Sequence, residues 1–181
     1  MAGRRWQPVQ GARGAKKGAQ DECVGNNPTD RGKSGVKKSL LVEADGGPLA
    51  LAISGANVPD SHLLALTLDA IVVQRPEPTP EHPQNLALDK GYDNPTSREA
   101  VEAAGYTAHI RRIGEEKLDE NAEKTHPARR WVVERTWSWL CSCRGILVRY
   151  DRKSSNYLAL LKVACALLWF RRWYRITELQ F

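Results

Sequence analysis

Cysteine and histidine are scarce in this chain, and neither gathers into a cluster. The four cysteines (Cys23, Cys141, Cys143, Cys165) show neither metal-site spacing nor a disulfide framework. Cys141 and Cys143 are two apart, which on a helix points their thiols away from each other. Reduced thiols in a cytosolic setting are the expectation. The four histidines (His62, His82, His109, His126) are scattered without pairing, which leaves zinc without a ligand set. Residues 1–38 are polar, Gly-rich and basic and do not read as a signal peptide. The longest apolar run, Tyr157 to Phe170, is 14 residues and contains Lys162. It is too short to span a bilayer, so no membrane partner is expected.

What is present suits one domain with a real core: 181 residues, 41% hydrophobic, with six Trp. The net charge of +6 is unevenly spread. Residues 129–175 hold eleven Lys/Arg against two Asp/Glu, leaving sixteen against nineteen elsewhere. A basic C-terminal third on a near-neutral body suggests a polyanion partner, and reads equally as a solvated basic face.

Residues 1–35 read as a flexible, Gly-rich basic arm. Residues 39–44 and 49–53 flank Asp45-Gly46-Gly47-Pro48 and predict a β-hairpin covered on both faces. Asp60 or Ser61 would cap a helix carrying Leu63, Leu64, Leu66, Leu68, Ile71 and Val72. Residues 75–83 hold four Pro and form a stiff connector. A strand at 85–89, a helix near 96–104 stopped by Gly105 and a strand at 106–110 follow. Residues 111–124 read as an exposed loop. Helices near 127–143 and 155–174 end the chain. This order predicts an α/β layer arrangement around a mixed sheet.

Two acids stand out. Asp89 closes the run Asn85-Leu86-Ala87-Leu88, and Gly91 lets the chain turn sharply out of that strand. Glu134 sits on a basic, Trp-rich helix, one turn after Arg130 and beside Arg135. Such a pair suits hard divalent cations, which take carboxylate oxygens, and suits phosphodiester chemistry, though a third acid is normally needed. The bland alternatives are a turn or cap role for Asp89 and a surface ion pair for Glu134, worth about 0–1 kcal/mol. Asp45 and Asp93 read as turn formers. Trp131, Trp137, Trp139, Trp169 and Trp173 share the basic region, where Trp and Arg together can stack on bases and clamp phosphates. Trp137 and Trp169 read instead as glue between the last two helices. Arg171, Arg172 and Arg175 read as solvent-facing.

Four stretches together resemble the DDE transposases of bacterial insertion sequences: Asn27-Pro28-Thr29-Asp30-Arg31-Gly32-Lys33, Gly55-Ala56-Asn57-Val58-Pro59-Asp60, Leu88-Asp89-Lys90-Gly91-Tyr92-Asp93 and Arg129-Arg130-Trp131-Val132-Val133-Glu134-Arg135-Thr136. They keep the family's order from about residue 25 to 175. The resemblance implies an RNase H-like mixed sheet flanked by helices over residues 36–181, and Mg²⁺- or Mn²⁺-dependent DNA cleavage and strand transfer. It implies DNA partners (terminal inverted repeats and target DNA), self-association in a synaptic complex and a cytoplasmic, nucleoid-associated bacterial protein. Carried over position by position, Asp89 is the second acid and metal ligand, Glu134 the third, and Arg130 the Arg of the family's Arg-three-Glu signature. Arg129, Arg130, Arg135, Arg144 and Lys90 are the expected DNA contacts.

Two departures accompany the resemblance. Cys141 stands seven residues after Glu134, where the signature often has Lys or Arg. The family's first Asp lies on the first strand, commonly followed by Gly or Ser, yet residues 5–19 contain no acid. Asp21 and Asp30 lack a strand-like context, so the first acid is unassigned. The expectation is the C-terminal part of a transposase with its first strand incomplete or missing, whether remnant or split-frame product. Alternatives are a non-catalytic DNA-binding regulator derived from a transposase and an inactive remnant.

Overall fold

The computed structural model describes residues 2–8, 23–28, 31–110 and 130–178, with residues 2–8 and 130 traced as backbone. In chain order the elements are β1 (Ala2–Pro8), β2 (Gly25–Asn26), β3 (Ser34–Val42), β4 (Pro48–Gly55), α1 (Asp60–Asp69), β5 (Asn85–Leu88), α2 (Pro95–Ala103), β6 (Thr107–Ile110), α3 (Arg130–Cys141), α4 (Arg144–Leu147) and α5 (Ser154–Glu178).

β3 is the central strand of an antiparallel sheet. β1 pairs along one side of it, from Ala2↔Leu41 to Pro8↔Gly35, and the two-residue β2 pairs on the opposite side, Gly25↔Gly35 and Asn26↔Ser34, where it follows the end of β4. β4 pairs along the other side, from Val36↔Gly55 to Val42↔Pro48. β5 and β6 form a parallel pair in register from Asn85↔Thr107 to Leu88↔Ile110. β1 also lies beside β5, so it joins the antiparallel strands to the parallel ones.

The period-two alternation of β3 and β4 serves two cores. Val36, Leu40 and Val42 of β3 join Leu51 and Ile53 of β4 against Val132, Val133, Trp137, Leu140, Ile146, Tyr157 and Leu161. Leu41 and Ala50 turn the other way, toward Leu64, Leu68, Leu86, Leu88, Tyr92 and Val101. Helices α3 to α5 therefore cover one face and α1 and α2 the other. This is the expected α/β layer arrangement, a mixed α/β architecture of the RNase H-like kind.

Several expectations need correction. The first strand is present: residues 2–8 pair with β3 from Leu41 to Gly35, and residues 25–26 pair on the opposite side of β3, so these parts of the expected arm are sheet. The hairpin strands are longer than the apolar runs, because Lys37 and Lys38 lie inside β3. Asp60 is the first residue of α1, not its cap; Pro59 holds the cap position and no side chain caps the helix. The helix ends at Asp69, so Ile71 and Val72 lie beyond it rather than on it. α2 behaves as its sequence suggests: Asn94 Oδ1 accepts from Ser97 N at 2.9 Å, Pro95 opens the helix, and Gly105 follows it at φ +75°. The 111–124 loop lies outside the described residues.

Candidate active site

Asp89 stands one residue past the carboxyl end of β5, half-buried, with extended backbone. Its Oδ1 accepts from Lys90 N at 2.8 Å and caps the single 3₁₀ turn Lys90–Tyr92. That turn drops Tyr92 into the core, where it is 1% exposed. The aromatic anchor fixes the strand end, and the carboxylate is fixed with it. Asp93 N donates to Lys90 O at 3.0 Å, in line with its reading as a turn former, and its carboxylate pairs with Arg98 at 2.6 Å.

Glu134 lies on α3, whose inner face is Val132, Val133, Thr136, Trp137 and Leu140, and Glu134 itself is exposed. The residues that follow it are tied to the β3–β4 turn. Arg135 Nη2 donates to Asp45 O at 2.6 Å, and its guanidinium lies 4.8 Å from the Trp131 ring and 5.5 Å from the Trp139 ring. Thr136 Oγ1 donates to Gly46 O at 2.8 Å. The turn requires Gly46: its φ is +95°, and a Cβ there would meet Thr136 Oγ1 at 2.9 Å.

The same turn holds α5. Arg172 pairs with Glu43 at 2.7 Å and Asp45 at 3.2 Å, so it is not the solvent-facing residue its sequence suggested. Trp169 Nε1 donates to Pro48 O at 2.7 Å, with its ring over Gly47. Trp169 thus fastens α5 to the turn rather than to α3. Trp137 is buried in the core that also contains Tyr157 and Leu161, as its reading as glue expects.

Lys90 and Arg144 are exposed, Arg144 opening α4. Arg135 is half-buried and engaged with the turn. Arg129 lies outside the described residues, as do Asp21 and Asp30, and Arg130 is placed only as the first residue of α3. β1, with sequence Ala-Gly-Arg-Arg-Trp-Gln-Pro, carries no carboxylate. Among the described residues no group of three or more His, Cys, Asp and Glu side chains is arranged to hold a metal ion. None of their helices is long and apolar enough to cross a membrane.

Sequence reasoning missed three buried cations. Lys37 Nζ pairs with Asp60 at 2.9 Å and also donates to Val58 O. Lys38, 1% exposed, donates to Tyr157 Oη at 3.3 Å and Ile146 O at 3.5 Å, and lies 5.3 Å from the Trp137 ring. Arg149 donates to Asp151 O and Arg152 O, each at 2.9 Å, and its guanidinium lies 5.7 Å from the Tyr157 ring. The available signal was two lysines adjoining an apolar strand-forming run. Burial, with Cys141 adding and Arg149 opposing, pushes the Tyr157 phenol up to about 12.

Two of the four motif stretches build the scaffold. Asn27 N donates to Lys33 O and Gly32 N to Asn27 O, closing a turn with Arg31 and Gly32 at positive φ. Gly25, at the start of β2, lies directly against the Asn57 side chain, and Ala56 N donates to Gly35 O. The Asn27–Lys33 and Gly55–Asp60 stretches thus knit one end of the sheet. The other two carry the acids.

The layered mixed sheet, an acid at the carboxyl end of β5 and a second acid on a flanking helix define the class: an α/β domain of the RNase H-like kind. Residues 6–169 match the family model described as Transposase DDE domain, and the chain belongs to that family. It is 35% identical over 148 residues to a Burkholderia cepacia protein named as transposase for insertion sequence element IS402, a match covering 80% of this chain and 67% of that protein.

Proposed function

We propose that this chain acts in DNA transposition at the ends of an insertion sequence, with Asp89 and Glu134 as two of the acids of a DNA strand-cleaving and strand-joining site. The observation that carries the reading is the placement of these two acids: one held by its cap bond at a strand end, the other on a helix pinned to the hairpin turn. Both offer hard oxygen donors, which suits Mg²⁺ or Mn²⁺. When bound, such ions would activate an attacking water or hydroxyl and stabilise the leaving oxygen. The chain's own part is positional. The Asp89 cap and the Tyr92 anchor hold one carboxylate, while Arg135 and Thr136 hold the helix that presents the other. Exposed Lys90 and Arg144, with Arg129 and Arg130, are the proposed contacts to the phosphates of terminal repeats and target DNA. Arg135 has a structural tie to the turn and is the weakest of the expected DNA contacts.

The lack of a carboxylate on β1 favours a second reading, a DNA-binding regulator derived from a transposase. It also implies little strand-transfer activity for the chain as it stands. One assay separates the two: a labelled terminal-repeat duplex incubated with the chain and Mg²⁺ or Mn²⁺. Binding that is salt-dependent and indifferent to Asp89→Asn and Glu134→Gln supports the regulator. Robust cleavage abolished by Glu134→Gln supports the enzyme and overturns the expectation of little activity.

A further inference from the structure

α5 has two apolar faces, and among the described residues only one of them is packed. Tyr157, Leu158, Leu161, Ala164, Cys165 and Leu168 pack on the sheet. On the opposite side, Leu160, Val163, Leu167, Phe170, Tyr174 and Thr177 repeat with spacings of three, four, three, four and three. That is the a/d alternation of a helix seam, sustained over two and a half heptads. Val163 is 65% exposed, Phe170 57% and the flanking Trp173 60%. Phe170 contacts both Trp173 and Tyr174, with ring centroids 6.0 and 6.4 Å apart.

From these exposures and ordinary side-chain areas, the uncovered apolar surface is on the order of 700 Å². Monomers rarely leave so large a patch open. It is close to the roughly 800 Å² that each partner contributes to a standard interface.

We propose that this face is the interface between two copies of the chain, paired through antiparallel α5 helices. The side chains favour that direction. Placing Leu167 against Phe170 of the second copy sets Val163 against Tyr174 and Leu160 against Thr177. Every layer then joins an a position to a d position, and four of the six set an aliphatic side chain against an aromatic one. The arrangement is isologous, so it closes on itself without leaving a sticky edge. The small Ala159 and Ala166, which flank the seam, let the helices approach. The proposal gives the self-association expected of a synaptic complex a surface, but it depends on neither Asp89 nor Glu134.

The test is sedimentation velocity of the full chain without DNA or metal. The unaltered chain should sediment as a dimer at micromolar concentration, and Leu167→Glu should weaken association at least about 100-fold while its thermal transition stays in place. Should Leu167→Glu fail to fold, Tyr174→Glu near the helix end reads the same property. For direction, a mixture of Leu167→Cys and Phe170→Cys chains should form the mixed disulfide in preference to either self-disulfide. A monomeric parent chain overturns the proposal, as does a Leu167→Glu dimer. So does preferential self-disulfide formation. Because DNA and metal are absent, failure here leaves the cleavage reading to its own assay.

Discussion

Thr136 donates its hydroxyl to the carbonyl of Gly46 at 2.8 Å, across 90 residues of sequence, and both residues are buried. Thr136→Val keeps the shape and leaves that carbonyl without its donor. A loss of about 1–3 kcal/mol is expected, read as a lower urea midpoint with unchanged slope. A midpoint equal to that of the parent would show that the bond contributes nothing to holding α3.

Lys38 and Tyr157 form the polar centre of the core between β3, α4 and α5. Tyr157 accepts from Lys38 and donates to Ile146 O at 2.8 Å. Removing the buried cation with Lys38→Met should change stability by less than about 1.5 kcal/mol, since apolar replacements of buried charges are often tolerated. Tyr157→Phe keeps the cation and deletes its acceptor, so it should cost more, about 1–3 kcal/mol. Chemical denaturation of the two variants decides the order, and the reverse order would refute this account.

The raised phenol of Tyr157 has a defined alkaline signature. In the unfolded chain it ionises near its ordinary value of 10.0, whereas in the fold it holds its proton to about 12. Its contribution to stability is thus fully present below pH 10 and is lost as the pH rises toward 12. Urea midpoints from pH 9 to 12 should fall less steeply for Tyr157→Phe than for the parent. Parallel curves would assign the phenol no such role. Cys165, raised by burial from 9.0 to about 11, should resist alkylation at pH 9 while exposed Cys143 reacts.

The family's first acid, on the first strand and followed by Gly or Ser, has one matching position on β1: Ala2, which precedes Gly3. Ala2→Asp should raise Mn²⁺-supported cleavage of a terminal-repeat duplex at least about tenfold, a barrier lower by roughly 1.4 kcal/mol. The gain should vanish on adding Glu134→Gln. A folded Ala2→Asp chain no more active than its parent would remove Ala2 from consideration.

The parts of the fold that announced themselves did so through apolar runs bounded by Gly, Pro or Asn. The β3–β4 hairpin, β5, β6 and the Asn94-capped α2 all have that form. β1 does not. Arg4, Arg5, Gln7 and Pro8 give it no strand pattern, and it is a strand because β3 offers it a partner edge. Lys37 and Lys38 concealed the true length of β3 for a related reason: lysine stems pass as apolar only once Asp60 and Tyr157 supply partners. At the site, sequence order was enough to single out Asp89 and Glu134. The clamp on Glu134's helix was not visible, because Asp45 and Gly46 read as turn residues and nothing local says what a turn will hold.

β1 carries a consequence for the order in which the chain can assemble. The β3–β4 hairpin closes from Val42↔Pro48, six positions apart, whereas β1 reaches β3 at the nearest from Pro8↔Gly35, 27 positions apart. By loop entropy alone the longer closure costs about 1 kcal/mol more. The hairpin can therefore form without β1, and β1 is recruited to an edge already in place. Only after that docking is there a strand beside which β5 and β6 can settle, so the parallel half of the protein, with Asp89 at its tip, is the slow half to fold.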